Sequence, residues 1–186
     1  MEERYVGRTG LRVSRLGLGT MTWGRDTDEH EAADLAALRP EMVTALGLLA
    51  PFGIFDDAHP GLDLYACPTP ERMSHLFAKG VPEPFADRFS ELGPDEGPVA
   101  RYLCDMAAAS LLWPLGDRGN RGRLHRIACP RLALWGDQDE LLPVGTSAAW
   151  AAGGVPVEVV AGAGHLLEWD APDEVGARLI ELLGSM

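Results

Sequence analysis

Hydrophobic positions along this chain fall into three uninterrupted runs, separated by glycine-rich and polar breaks. "MVTALGLLAPFGIFD", from Met42, runs apolar until Pro51 and Gly53 stop it. "CPRLALWGDQDELLP" breaks at Gly136, and "VPVEVVAGAGHLLEWDAPDEV" breaks at Gly162 and Gly164. Continuous short runs bounded by turn residues predict strands buried on both faces, as in a parallel sheet. A helix is predicted at about Thr146–Ala152 and another from Pro172 to Leu183, where Val175, Leu179, Leu182 and Leu183 share one stripe. Strands alternating with helices predict an α/β fold with a parallel three-layer sheet. Residues 56–120 are rich in Pro, Gly and acids, with helical pieces at Glu71–Lys79 and Val99–Trp113. They read as a cap excursion from that sheet.

Ahead of the first run the pattern is different. Arg4–Val6 and Leu11–Val13 flank a GRTG turn and predict a short hairpin. Leu16, Leu18, Thr20 and Thr22 alternate with Gly17, Gly19 and Met21, the pattern of a buried strand. Asp26 or Thr27 is placed to cap a helix reaching Leu38, which Pro40 ends. The glycines do not make a dinucleotide fingerprint. Gly17-Leu18-Gly19 is followed by Thr22 where a third glycine belongs, and these glycines lie within the strand rather than after it.

Composition narrows the partners. With 186 residues, 46% hydrophobic and 24% charged, the chain suffices for one domain with a core. The net charge is −12, of which residues 1–39 carry only −1; the rest holds 21 acids against 10 bases. Such a surface repels phosphate backbones and anionic lipid, which argues against nucleic-acid and membrane partners. Without an apolar run of membrane-spanning length or a secretory leader, the expected compartment is the cytoplasm. Cys67, Cys104 and Cys129 are widely spaced, read as reduced thiols, and give no metal signature.

Candidate chemistry sits where the strands end, which is where open α/β sheets place their sites. Asp139 lies three residues past Gly136, and His165 directly follows Gly164. A carboxylate that fixes an imidazole, in the order acid then His, suits a nucleophile–His–acid relay. Asp137 is the rival acid. His125 and Cys129 read as structural, Glu168 and Asp173 as surface or helix-start charge, and His59, His75 and Cys104 as residues of the cap, candidates to line a substrate pocket. "LALWGDQDELLP" and "VVAGAGHLLEWDAPDEV" resemble the last two strand-loops of α/β-hydrolases, and "RPEMVTALGLLAPFG" resembles the strand after the nucleophile helix. The resemblance covers residues 39–186. It implies that Asp139 is the triad acid, His165 the triad base, and an ester or acyl compound the ancestral substrate.

The nucleophile is missing from the sequence. Ser14, Ser74, Ser90, Ser110, Ser147 and Ser185 all lack the G-x-S-x-G frame that an elbow requires, and no cysteine has it. The early loop that would complete an oxyanion hole has no counterpart either. The N-terminal segment, residues 1–38, instead resembles the start of aldo-keto reductases over about its first 35 residues: "YVGRTGLRVSRLGLGTMTWG" followed by "RDTDEHEA". That likeness implies a barrel-plugging hairpin and a first barrel strand, with Gly19, Thr20 and Met21 near a nicotinamide cofactor. The catalytic residues of that family come later and have no counterpart, and a barrel takes about 250 residues. No cofactor is therefore expected.

The chain reads as a join near "HEAADLAALRP", whether by genuine fusion, deletion or a gene-model artefact. Its borrowed strand and helix have the order of a nucleophile strand, elbow and helix, and in that register Thr22 takes the nucleophile position. Thr20 then replaces the elbow's first glycine, so strain and access are wrong for catalysis. Three readings follow: a hydrolase-like protein inactive or weakly active alone, a binding or dimerisation module using the cap and an exposed sheet edge, and an oxidoreductase fragment.

Overall fold

The computed structural model describes residues 3–5, 12–14, 43–85, 89, 92–112, 117 and 119–184. Strands β1 (Glu3–Tyr5) and β2 (Arg12–Ser14) pair antiparallel, with Arg4 opposite Val13. This is the predicted hairpin, with each strand displaced by one residue. The strand and helix expected between Leu16 and Leu38 lie outside the described residues.

The sheet is built from the three apolar runs. β3 (Leu46–Leu49), β4 (Arg131–Gly136) and β5 (Val157–Val160) lie in that order and run parallel. Leu46 faces Arg131 and Ala133 faces Val157, which fixes both registers. Leu132 to Gly136 are all buried, as a central strand with both faces covered must be. Among the described residues β5 pairs only with β4, and its Val159 is exposed. β3 pairs only with β4 among the described residues, so its other side is open there.

Glycine sets one close approach across this sheet. A Cβ on Gly47 would lie 2.6 Å from Leu179, so the bare backbone lets the C-terminal helix settle on β3. That helix, α5 (Pro172–Gly184), buries Val175 and packs Leu179 and Leu182 on the core, following the predicted stripe. The core centres on Trp135, Leu134, Leu141, Trp150 and Leu167. The Trp135 indole N–H donates to the Leu142 carbonyl at 2.8 Å, which ties β4 to the loop after it.

The cap excursion departs from expectation in two places. The helix predicted across Glu71–Lys79 does not form as such. Helix α1 covers only Thr69–Arg72, a 3-10 turn follows at Ser74–Leu76, and Phe77 is extended. Tertiary contacts override helical propensity here, because the Leu76 carbonyl accepts from Leu166 N–H while the Ala78 and Lys79 N–H groups donate to the Asp170 carboxylate. The helix predicted from Val99 opens earlier, as α2 (Gly93–Leu112), and runs through Pro98. Pro98 has no N–H for the carbonyl four residues back, yet its position near the helix start spares most of the ladder. The remaining helices, α3 (Ser147–Ala152) and α4 (Leu167–Asp170), follow β4 and β5. No helix among the described residues is long and apolar enough to cross a membrane.

Candidate functional site

The exits of β4 and β5 meet at the carboxyl edge of the sheet. Past Gly136 the chain turns, and the Gln138 N–H donates to the Ala163 carbonyl at 3.0 Å. A Cβ on Gly136 would stand 2.2 Å from that same carbonyl oxygen and 2.4 Å from the oxygen of Gly164. Only glycine lets the two loops lie this close. Gly164 faces a second press, since a Cβ there would lie 2.8 Å from the Ala78 nitrogen and 3.0 Å from the Leu76 oxygen. Two of the breaks in the apolar runs, Gly136 and Gly164, are thus packing requirements around one point.

At that point Asp139 and His165 are in contact. Asp139 Oδ2 accepts from His165 Nδ1 at 3.0 Å, and its Oδ1 accepts from the Leu142 N–H at 2.8 Å. The Asp139 side chain is 0% exposed and that of His165 is 8% exposed. A carboxylate held at both oxygens fixes the imidazole tautomer: Nδ1 carries the proton and Nε2 keeps its lone pair. The Phe52 ring, from the β3 exit, stands edge-on to the imidazole with centroids 5.6 Å apart. The pair can therefore accept a proton at Nε2 from a group placed beside it. Among the described residues no hydroxyl or thiol hydrogen-bonds His165.

The rival acid has another task. Asp137 is exposed, and its Oδ1 accepts from the Gly162 N–H at 2.7 Å, bracing the left-handed turn at Gly162. Thr22, Gly19, Thr20 and Met21 lie outside the described residues. His59 and His75 each meet a carboxylate, Asp56 at 2.8 Å and Glu140 at 2.5 Å, in more open surroundings. His125 and Cys104 are exposed, and Cys67 and Cys129 are half-buried free thiols. Burial pushes the Cys129 thiol up from its usual range. No group of three or more His, Cys, Asp or Glu side chains able to hold a metal occurs among the described residues.

Two acids near His165 escape a reading of the sequence. Asp170 is buried, and its Oδ2 accepts from the N–H groups of Gly164 and Ala78, both at 2.8 Å. Its Oδ1 accepts from Lys79 N–H at 3.2 Å, and the Lys79 ammonium donates to the Asp170 carbonyl. The Leu166 N–H also donates to Leu76 O, so both residues flanking His165 are tied to the cap segment or to its anchor. Glu168, read as surface or helix-start charge, stands in the first turn of α4, half-buried rather than exposed, with its Oε1 buried and without a partner. Burial raises its carboxyl above the usual range; a backbone hydrogen bond and the nearby His165 oppose the rise, and Asp170 adds to it. The only sequence signal is a pair of acids in an otherwise apolar "HLLEWDAP".

No family model matches the chain. Solved structures match most of it. A membrane phospholipase A, described as a bacterial virulence factor, superposes with a TM-score of 0.59 at 23% identity over 84% of this chain and 54% of its own. The meta-cleavage product hydrolase CumD of Pseudomonas fluorescens IP01, as a point mutant complexed with acetates, gives 0.57 at 17% identity over 83% and 60%. The 2-hydroxy-6-oxo-6-phenylhexa-2,4-dienoate hydrolase of Rhodococcus sp. strain RHA1 gives 0.56 at 20% over 82% and 59%. The fold is a partial α/β-hydrolase-like fold, and the chain spans little more than half the length of these proteins. A stretch of 32 residues is 72% identical to YrpG, an uncharacterized oxidoreductase of Bacillus subtilis strain 168. That match spans 17% of this chain and 10% of that protein, a short likeness to an oxidoreductase and no more.

Proposed function

We propose that this chain derives from an ester or acyl hydrolase and keeps the acid and base of its relay, Asp139 and His165, without a nucleophile elbow. The observation that carries this reading is the buried contact between His165 Nδ1 and Asp139 Oδ2, at 3.0 Å, with Asp139 Oδ1 held by Leu142 N–H. In the ancestral chemistry the base takes a proton from a hydroxyl or thiol as it attacks the acyl carbon. Here His165 is poised as that base, and the sequence offers no serine or cysteine in an elbow to be deprotonated. The likeness of fold to hydrolases supports the reading. The chain alone is accordingly inactive or weakly active.

A panel of short p-nitrophenyl esters tests it. The expected wild-type rate is barely above buffer, and His165→Ala removes the excess. Equal rates in the two proteins would remove His165 from any mechanism. Turnover of about 1 s⁻¹ or faster, within the usual enzyme range, would overturn the claim of an incomplete relay.

A second reading rests on the open side of β3 among the described residues. An unpaired apolar edge is a template for strand addition, and a homodimer through this edge would cover it. Light scattering behind a sizing column tests that reading, which a monomer at all concentrations would refute. The oxidoreductase reading rests on the 32-residue match alone, and saturable NADPH binding is not expected.

A further inference from the structure

The open side of β3 is a row of backbone groups whose spacing follows from its pairing with β4. Leu46 N–H and Ala50 N–H donate to the carbonyls of Pro130 and Leu134, at 2.9 and 2.8 Å. Alternate residues of a parallel strand turn their N–H and C=O to opposite neighbours, so Gly47 and Leu49 turn theirs away from β4. Among the described residues no strand receives them. Leu46, Leu48 and Leu49 pack with the core, and α5 settles on Gly47. β3 is therefore held in place, and its free side is a preformed template for one more strand.

Chain connectivity decides what reaches that template. Leu16–Thr22 alternates as a buried strand does, a helical pattern follows to Leu38, and β3 begins at Leu46. Strand, helix and strand thus fall within the 34 residues from Leu16 to Leu49, and one βαβ unit takes about 30 or more. A parallel crossover needs about a dozen residues, and 23 separate Thr22 from Leu46. One side of β3 is already taken by β4, so the open side is the place left for a sequence neighbour. A second copy of the chain is the rival occupant. A segment on so short a connection acts at millimolar effective concentration, about a thousandfold above a free chain at micromolar concentration.

We propose that residues 16–22 pair parallel with β3 along its open side, and that positions 27–38 make the right-handed crossover between them. The stretch that resembles the start of a reductase barrel then serves to close a hydrolase-like sheet. A chain closed in this way leaves no edge on this side for a homodimer and is a monomer. The proposal is independent of whether His165 works as a base.

Hydrogen exchange of the full chain, followed residue by residue by NMR, tests it. The amides of Gly47 and Leu49 should exchange about a hundredfold slower than in an unstructured chain, as those of Leu48 and Ala50 do on the β4 side. Their protons should show nuclear Overhauser contacts to backbone protons of residues 16–22. In a mixture of labelled and unlabelled chains those contacts should stay within one chain, and light scattering should give a monomer. Leu18→Pro with Gly19→Pro removes one N–H from each side of the strand. In that variant Gly47 and Leu49 should exchange at least about tenfold faster, while Leu48 stays within about twofold of wild type. Fast exchange at Gly47 and Leu49 in the folded wild type overturns the proposal. So do contacts to any other segment, contacts that pass between chains, and unchanged exchange in the proline variant. Should that variant lose protection at Leu48 as well, the wild-type contacts decide.

Discussion

His165 and His59 each set an imidazole Nδ1 against a carboxylate, at 3.0 and 2.8 Å, and the shorter contact is the less constrained. His59 and Asp56 side chains are 46% and 26% exposed, three residues apart on one loop. His165 and Asp139 are 26 residues apart, arrive from different strands, and are almost closed to water. Asp56 is held below the usual carboxylate range by the His59 hydrogen bond first, then by the Ala58 N–H. Both of those partners are local, and solvent replaces either. Asp139 has no such substitute. Distance therefore does not separate a surface pair from a preorganised one; burial and the number of independent tethers do.

The largest effect should come from breaking the two pairs in parallel. Asp139→Ala leaves the Leu142 N–H and the His165 Nδ1–H without acceptors in a closed site. The expected loss is about 3 kcal/mol in a urea unfolding series. Asp56→Ala, on a loop open to water, should fall within about 0.5 kcal/mol of wild type. Similar losses in the two variants would refute the comparison.

Asp170 sharpens it, because this acid tethers backbone rather than a side chain. It joins Gly164, just before His165, to Ala78 and Lys79 of the cap. Asp170→Asn keeps the volume but turns one acceptor into a donor that faces N–H groups, and about 2 kcal/mol should be lost. The discriminating readout is the His165 ring resonance. Loosening of its loop should move or broaden that signal while the His59 signal stays in place. A His165 resonance as sharp as in wild type would show that the cap segment does not hold the loop.

The sheet and the central pair were legible because each rests on a short-range signal. Uninterrupted apolar runs mark β3, β4 and β5, and Gly136 and Gly164 mark where backbones crowd together, three residues before Asp139 and one before His165. Asp170 was not legible: two of its backbone donors, Ala78 and Lys79, lie 92 and 91 residues away in sequence. The helix predicted over Glu71–Lys79 failed for the same reason, since the residues that anchor on Asp170 are those withdrawn from the helix. Likeness of short motifs found the fold of residues 39–186, while the strand and helix expected over positions 16–38 lie outside the described residues.

The smallest effect, and the sharpest in sign, concerns Glu168, a carboxyl that has burial without the tethers of Asp139. Its folded-state value lies above the 4.5 of an unburied glutamate, with desolvation the largest cause. Below the unfolded value both states are protonated and the group contributes nothing. As pH rises through that value, the unfolded chain releases its proton first. Stability then falls until the folded-state value is passed, and the loss persists at neutral pH. Glu168→Gln removes this penalty, so its melting temperature should match wild type near pH 4 and exceed it at pH 7. Solvent reaches part of this side chain, which holds the gain to about 2 °C or less. His165 and Asp170 act on Glu168 in opposite directions, so the same gain should grow in a His165→Ala background, where the opposing imidazole is gone. A melting temperature below wild type at pH 7 would mean that Glu168 is ionised and favourably paired with His165, reversing its assigned contrast with Asp139.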